Sequence, residues 1–144
     1  MSDLQNLYQE LILDHSRTPH GFGLRPEIVA QSHQVNPTCG DEVTLQVHRA
    51  EDGTIEAIAW EGHGCAISQA SASLLAELAE GLTVEELEVR IDVFREAMRS
   101  RGRIEPDEEL LGDVAALGGV SRYVARVKCA MLAWVAAEDA LHKG

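Results

Sequence analysis

Residues 43–60, VTLQVHRAEDGTIEAIAW, decide how this chain folds. Val43, Leu45 and Val47 alternate with Thr44, Gln46 and His48, the period-two pattern of a strand with one buried face. Asp52-Gly53 follows, a strong signal for a hairpin turn. The next strand runs from about Ile55 to Trp60. Upstream, residues 28–35 predict an edge strand with a polar middle, stopped by Pro37. Together these segments predict a small antiparallel sheet of three strands.

Outside the sheet the apolar period becomes helical. Ser2 and Gln5 have capping-box spacing, and Leu4, Leu7, Tyr8, Leu11 and Ile12 form one stripe, so residues 1–16 predict a helix. Pro19, Gly21, Gly23 and Pro26 mark the loop that follows. After Cys65, Ile67, Leu74, Leu75 and Leu78 among many Ala and Ser predict a helix that Gly81 ends. Thr83 and Glu86 form a second capping box, opening a helix to about Arg99. Residues 100–106 read as a loop. A short acidic helix is expected from about Asp107 to Leu117, broken by Gly118-Gly119. The last helix is expected over 121–142, with Val124, Val127, Met131 and Val135 on one face. The expected fold class is α+β: one domain over residues 1–144, a three-stranded antiparallel sheet with helices packed on one face.

The chain has 144 residues, 45% hydrophobic and 25% charged, which suits one globular domain with a sizeable core. Its formal charge of −12 argues against nucleic acid and against anionic membranes as partners. The longest apolar run, Cys129 to Ala137, is far too short to span a bilayer. Met1 to Ser16 has no secretory pattern, so a cytoplasmic location is expected. Three cysteines cannot close a full disulfide set, and a cytosolic protein keeps its thiols reduced. Each is therefore a buried small hydrophobe, a reactive thiol or a metal ligand.

For any one cysteine taken alone the pattern favours the buried small hydrophobe, and what lifts the metal reading is that two of the three sit in glycine-flanked loops. Asn36-Pro37-Thr38-Cys39-Gly40-Asp41 is a turn between two strands. If it is extended, Cys39 and Asp41 point to one side. Gly64-Cys65 opens a helix, whose N-terminus favours negative charge. Cys129 lies in the last helix, with Arg126 three residues earlier on the same face. Three thiolates and one carboxylate make a reasonable tetrahedral zinc set, and soft sulfur selects zinc or iron–sulfur over magnesium or calcium. Arg126 would partly offset the net negative charge. His63, two residues before Cys65, reads as a loop histidine before it reads as a competing ligand. Asp14-His15 is not read as an acid–base pair, because adjacent helical residues do not face each other. Trp60 and Trp134 read as packing residues.

The stretches Asn36 to Asp41, Gly62-His63-Gly64-Cys65-Ala66-Ile67-Ser68 and Arg126-Val127-Lys128-Cys129 resemble the IscU/NifU-N superfamily of iron–sulfur cluster assembly. Tyr8 to His15, followed by Pro19, resembles that family's opening helix and loop. The resemblance covers essentially the whole chain. Lys128, where cluster scaffolds of the superfamily carry a His, and the additional residues 98–120 resemble the SufU branch. The resemblance implies an IscU/SufU-like fold and a zinc site of Cys39, Asp41, Cys65 and Cys129. It also implies a sulfurtransferase that accepts persulfide sulfur from a SufS-type cysteine desulfurase and delivers it to the SUF cluster assembly proteins. Cys39, in the most protruding loop, is the expected acceptor, and Arg126 the residue that steers the persulfide or balances charge. The alternative is a scaffold that assembles a [2Fe–2S] cluster on the same residues.

Overall fold

A computed structural model describes residues 2–37 and 40–143, with side chains from Tyr8 onward. Helix α1 (Ser2–Arg17) leads into the sheet strands β1 (Ala30–Asn36), β2 (Asp41–Arg49) and β3 (Ile55–His63). Helices α2 (Ala66–Ala79), α3 (Val84–Arg99) and α4 (Glu108–Leu111) follow. A 3₁₀ segment (Gly112–Arg122) then leads into α5 (Val124–Lys143). The sheet is antiparallel in the order β1-β2-β3. Helix α5 lies across β1 and β2, α2 packs on β3, α1 and α5, and α3 packs on α5. The expected α+β class, with one helix-covered sheet face, is the observed one.

The core sits between that face and the helices. Leu45, Ile58 and Trp60 of the sheet meet Leu74 and Leu75 of α2, Phe94 of α3 and Trp134 of α5, all essentially without solvent exposure. The Thr83/Glu86 capping box forms as the spacing predicts, its hydroxyl accepting from the Glu86 amide at 3.1 Å. No helix among the described residues is long and apolar enough to cross a membrane.

Four expectations fail. Strand β3 continues past Trp60 to His63, because Glu61, Gly62 and His63 pair with Thr44, Val43 and Glu42. The acidic helix stops after one turn, at Leu111. Gly112 has φ 55 and ψ −131, a combination that needs glycine, so α-helical bonding cannot continue. Gly118-Gly119 does not break the segment. A side chain at Gly118 would lie 2.9 Å from Pro106 Cδ, so this glycine admits a close contact. In α5, Val124 and Val135 are exposed. The buried stripe runs instead through Cys129, Ala130, Ala133, Trp134 and Ala137, because the sheet and α2 grip the helix from two sides.

The β2 alternation holds from Asp41 to Leu45 and then fails, since Gln46 and His48 are also buried. The loop after α1 crosses there: the Arg25 amide donates to Gln46 Oε1 at 3.0 Å and the Gln46 amide donates back to Arg25 O at 3.0 Å. His48 donates from Nε2 to Gln46 Oε1 at 2.9 Å. Burial, and secondarily the Arg25 cation, holds the His48 pKa below its ordinary 6.5. A depressed histidine pKa means that the unfolded chain takes up the proton first as pH falls. Stability is therefore unaffected by His48 above pH 6.5 and declines below it. We expect the melting temperature to fall between pH 7 and about 5.5, and that slope to flatten in His48→Gln, read by thermal melts across pH.

Candidate metal centre

Three elements meet at one end of the sheet. Asn36 ends β1 and pairs with Asp41, which begins β2. The Gly40 amide donates to Asn36 O at 2.8 Å, and Gly40 has φ +76, so the link between the strands needs a residue without Cβ here. The β2 pleat then sends Asp41 to the same side as Val43 and Leu45, where it is 1% exposed. Cys65 is the N-cap of α2, in extended conformation, and its side chain makes no capping bond, so the thiol is left for other partners. Its amide donates to Asp41 Oδ1 at 3.2 Å, tying strand to helix. Cys129, in the second turn of α5, is 2% exposed, with Sγ 3.8 Å from Ala125 O.

The ligand atoms of Asp41, Cys65 and Cys129 all lie within 4.8 Å of one another. Around a tetrahedral zinc with a Zn–S bond of about 2.3 Å, sulfurs sit roughly 3.8 Å apart. The three groups therefore need only a slight closure to share one ion. Two thiols and a carboxylate are a zinc or iron donor set, not a magnesium one. The start of α2 adds the favourable end of a helix dipole for negative charge.

Of the five residues expected from sequence, the fold brings these three together. Cys39, two residues before Asp41 in sequence, lies outside the described residues. Arg126 is exposed on α5 one turn before Cys129, and among the described residues no hydrogen bond or ion pair ties it to the cluster. His63 is not a rival ligand: it stands on the outer sheet face, largely exposed, with Nε2 3.1 Å from Glu42 Oε1. His33 reaches the other oxygen of Glu42 from β1. That hydrogen bond from His33, together with His63, holds the Glu42 carboxyl below its usual range. His15 turns away from Asp14 and bonds Ser73 Oγ through Nδ1 at 2.6 Å. With the exposed Glu77 and Asp113 it makes a second cluster of possible ligands, on the α1–α2 side.

Sequence reasoning named Gly64 beside Cys65 but gave it no role. A Cβ there would lie 2.3 Å from Asp41 Oδ1 and 2.4 Å from Ser68 Oγ, so only glycine lets the carboxylate reach the helix start. The glycine immediately before a cysteine was the available signal.

A half-buried thiol, a buried thiol and a buried carboxylate gathered where a strand start meets two helices make a candidate thiolate metal site on an α+β scaffold. The chain belongs to the NifU-like N terminal domain family, whose model matches residues 7–142. It is 37% identical over 144 residues to the zinc-dependent sulfurtransferase SufU of Bacillus subtilis, covering 99% of this chain and 94% of that one. It is 38% identical over 143 residues to the iron–sulfur cluster assembly scaffold protein IscU of Streptococcus pyogenes, covering 99% and 87%. The crystal structure of a protein described as an iron–sulfur cluster assembly scaffold for the SUF system, from Fervidobacterium islandicum, matches with a TM-score of 0.81. It is 34% identical, covering 95% of this chain and 98% of that one.

Proposed function

We propose that this protein is a cytoplasmic zinc-dependent sulfurtransferase of iron–sulfur cluster assembly, taking persulfide sulfur from a SufS-type cysteine desulfurase and passing it to SUF assembly proteins. The observation that carries this reading is the convergence of Asp41, Cys65 and Cys129. Cys39 supplies the fourth ligand. The names of its relatives leave two roles open, sulfurtransferase and scaffold. Lys128 favours the first, because a cluster scaffold of this superfamily uses a histidine at that place.

Zinc held by these residues supplies a Lewis acid that keeps its thiol ligands deprotonated at neutral pH. Cys65 and Cys129, half-buried and buried, anchor the site. Asp41 is fixed by the Cys65 amide and tunes it. Cys39 is the acceptor. Its thiolate attacks the outer sulfur of the desulfurase persulfide, and a new S–S bond forms between them. The bond from that sulfur to the desulfurase cysteine breaks, and the latter leaves as thiolate with the electron pair. The exchange is redox-neutral, and its rate follows thiolate fraction and access. Arg126, exposed beside the site, attracts the anionic persulfide.

The test is metal content of anaerobically purified protein together with stimulation of a SufS-type desulfurase. We expect about one zinc per chain, and stimulation that is lost in Cys39→Ala while the circular dichroism spectrum is retained. Iron with acid-labile sulfide, and cluster transfer to an apo-protein, would establish the scaffold role instead. Sulfur acceptance by Cys39→Ala would remove Cys39 from its assignment.

A further inference from the structure

The positive charge of this acidic chain is segregated. Arg99 ends α3 and Arg101 and Arg103 lie in the exposed loop after it, while Arg122 lies just before α5 and Arg126 and Lys128 just inside its start. These are six of the 12 Lys and Arg residues, and none of the 24 Asp and Glu residues falls within 99–103 or 114–137. The two groups are joined in space. A Cβ at Gly102 would lie 2.8 Å from Arg122 Cγ and 3.0 Å from its Nε, so the loop packs directly on the Arg122 side chain. The loop is also shaped. Arg101 has φ 58, uncommon for a side chain of its size, and Ser100 Oγ accepts the Ile104 amide at 3.0 Å. Arg99, Ser100, Arg101, Arg103 and Ile104 line an open concavity of about 490 Å³.

Local stability does not account for this arrangement. Among the described residues no carboxylate pairs with any of the six, although other arginines, such as Arg95 with Glu138, are paired. Arg126 and Lys128 sit in the first two turns of α5, the end of a helix where the dipole disfavours cations. Arg99 alone is at a favourable helix C-terminus. Unpaired guanidiniums on a concave, preshaped surface suit carboxylates, which they bind in bidentate fashion.

We infer that the loop at 99–103, with Arg122, is the docking surface for an acidic face of the sulfur donor. The inference rests on the sulfurtransferase reading above and names where its partner sits. Arg122 lies two residues before α5 begins, and the strip continues along α5 through Arg126 to Cys129, one turn further on and about 4.5 Å of rise at 1.5 Å per residue. A partner held by the arginine loop is thereby brought beside the thiol site. The remainder of the surface carries all the carboxylates and repels an acidic partner. Charge therefore selects one docking orientation as well as adding attraction.

The experiment uses the full-length, zinc-loaded protein and a SufS-type desulfurase. Arg101→Glu/Arg103→Glu is compared with Arg17→Glu/Arg49→Glu, which changes net charge equally on other exposed surfaces. The half-saturating concentration for desulfurase stimulation is read between low and high salt. We expect the first variant to raise it roughly ten-fold at low salt, leave maximal stimulation intact and flatten the salt dependence. The control should shift little, and Arg101→Lys/Arg103→Lys should restore most of the loss. Equal shifts in both glutamate variants would reduce the effect to net charge and overturn the docking site. An unshifted first variant would do the same while leaving the sulfurtransferase reading intact. A wild-type protein that fails to stimulate at any concentration overturns both.

Discussion

Trp134→Ala is expected to destabilise the protein by about 3–5 kcal/mol, measured by urea unfolding, and to leave little of it folded at growth temperature. Trp134 has no solvent exposure and belongs to the central core cluster. Its ring stacks on Phe94 of α3, centroids 4.2 Å apart and planes 24° from parallel. Its indole N–H donates to Ser71 Oγ of α2 at 2.9 Å, and that hydroxyl donates on to Ala130 O at 2.6 Å. One side chain thus binds α2, α3 and α5 together. Truncation opens a large cavity, ends an aromatic contact worth about 0.5–1.5 kcal/mol, and removes one partner of a buried hydroxyl. Trp134→Phe separates these terms. It keeps most of the apolar volume and the stack, while Ser71 keeps Ala130, so its cost should be well under half that of alanine. Equal costs would mean that the hydrogen bond, not the packing, holds the three helices.

The same residue explains why the site depends on the core. Cys129 lies five positions before Trp134 on α5, and Ser71 lies on the helix that Cys65 opens. Locking α2 to α5 through Trp134 fixes the separation of two thiols that stand 64 residues apart in sequence.

Strand period and turn chemistry made the sheet legible, because Val43, Leu45 and Val47 obey a rule with a period of two and Asp52-Gly53 punctuates it. Capping chemistry located α3 for the same reason: Thr83 and Glu86 satisfy backbone groups locally, whatever packs around them. Failures came where distant chain decided. Gln46 and His48 look like a solvated strand face until the loop bearing Arg25 crosses them. Val124 to Val135 gives a clean helical stripe, yet a helix gripped by a sheet and by α2 buries a different and more alanine-rich one. Gly112 and Gly118 are both plausible breakers, and only φ at the first and Pro106 at the second distinguish their roles. At the site, residue chemistry was readable because cysteines beside glycines in turns are poor core residues. Their convergence was not, since residues 41, 65 and 129 are joined only by the crossing of β2, α2 and α5. The family resemblance supplied that grouping before geometry did. The arginine strip was overlooked because a net charge of −12 hides local segregation.

Gly64→Ala should purify folded but with substoichiometric zinc, its affinity lowered about 10–100-fold, and without metal it should melt somewhat below the parent. The added methyl would stand 2.3 Å from Asp41 Oδ1 and 2.9 Å from its Cγ, inside any tolerable contact. Asp41 cannot easily yield. It is 1% exposed, and Oδ1 accepts the Cys65 amide, so moving it also costs the bond that seats α2 against β2. Ser68 Oγ, 2.4 Å from the same methyl, is the softer neighbour, since its hydroxyl can rotate away from Cys65 O. The carboxylate is therefore pushed off the position it shares with Cys65 and Cys129, and the donor set falls by one. Competition with a chromophoric chelator measures the change directly. Asp41→Ala is the reference: if Gly64 acts through Asp41, the double variant should bind zinc no more weakly than Asp41→Ala alone. Additive losses would place the effect of Gly64 in the path of the backbone itself. Unchanged zinc in Gly64→Ala would mean that Asp41 holds no metal, leaving the cysteines to do so without it.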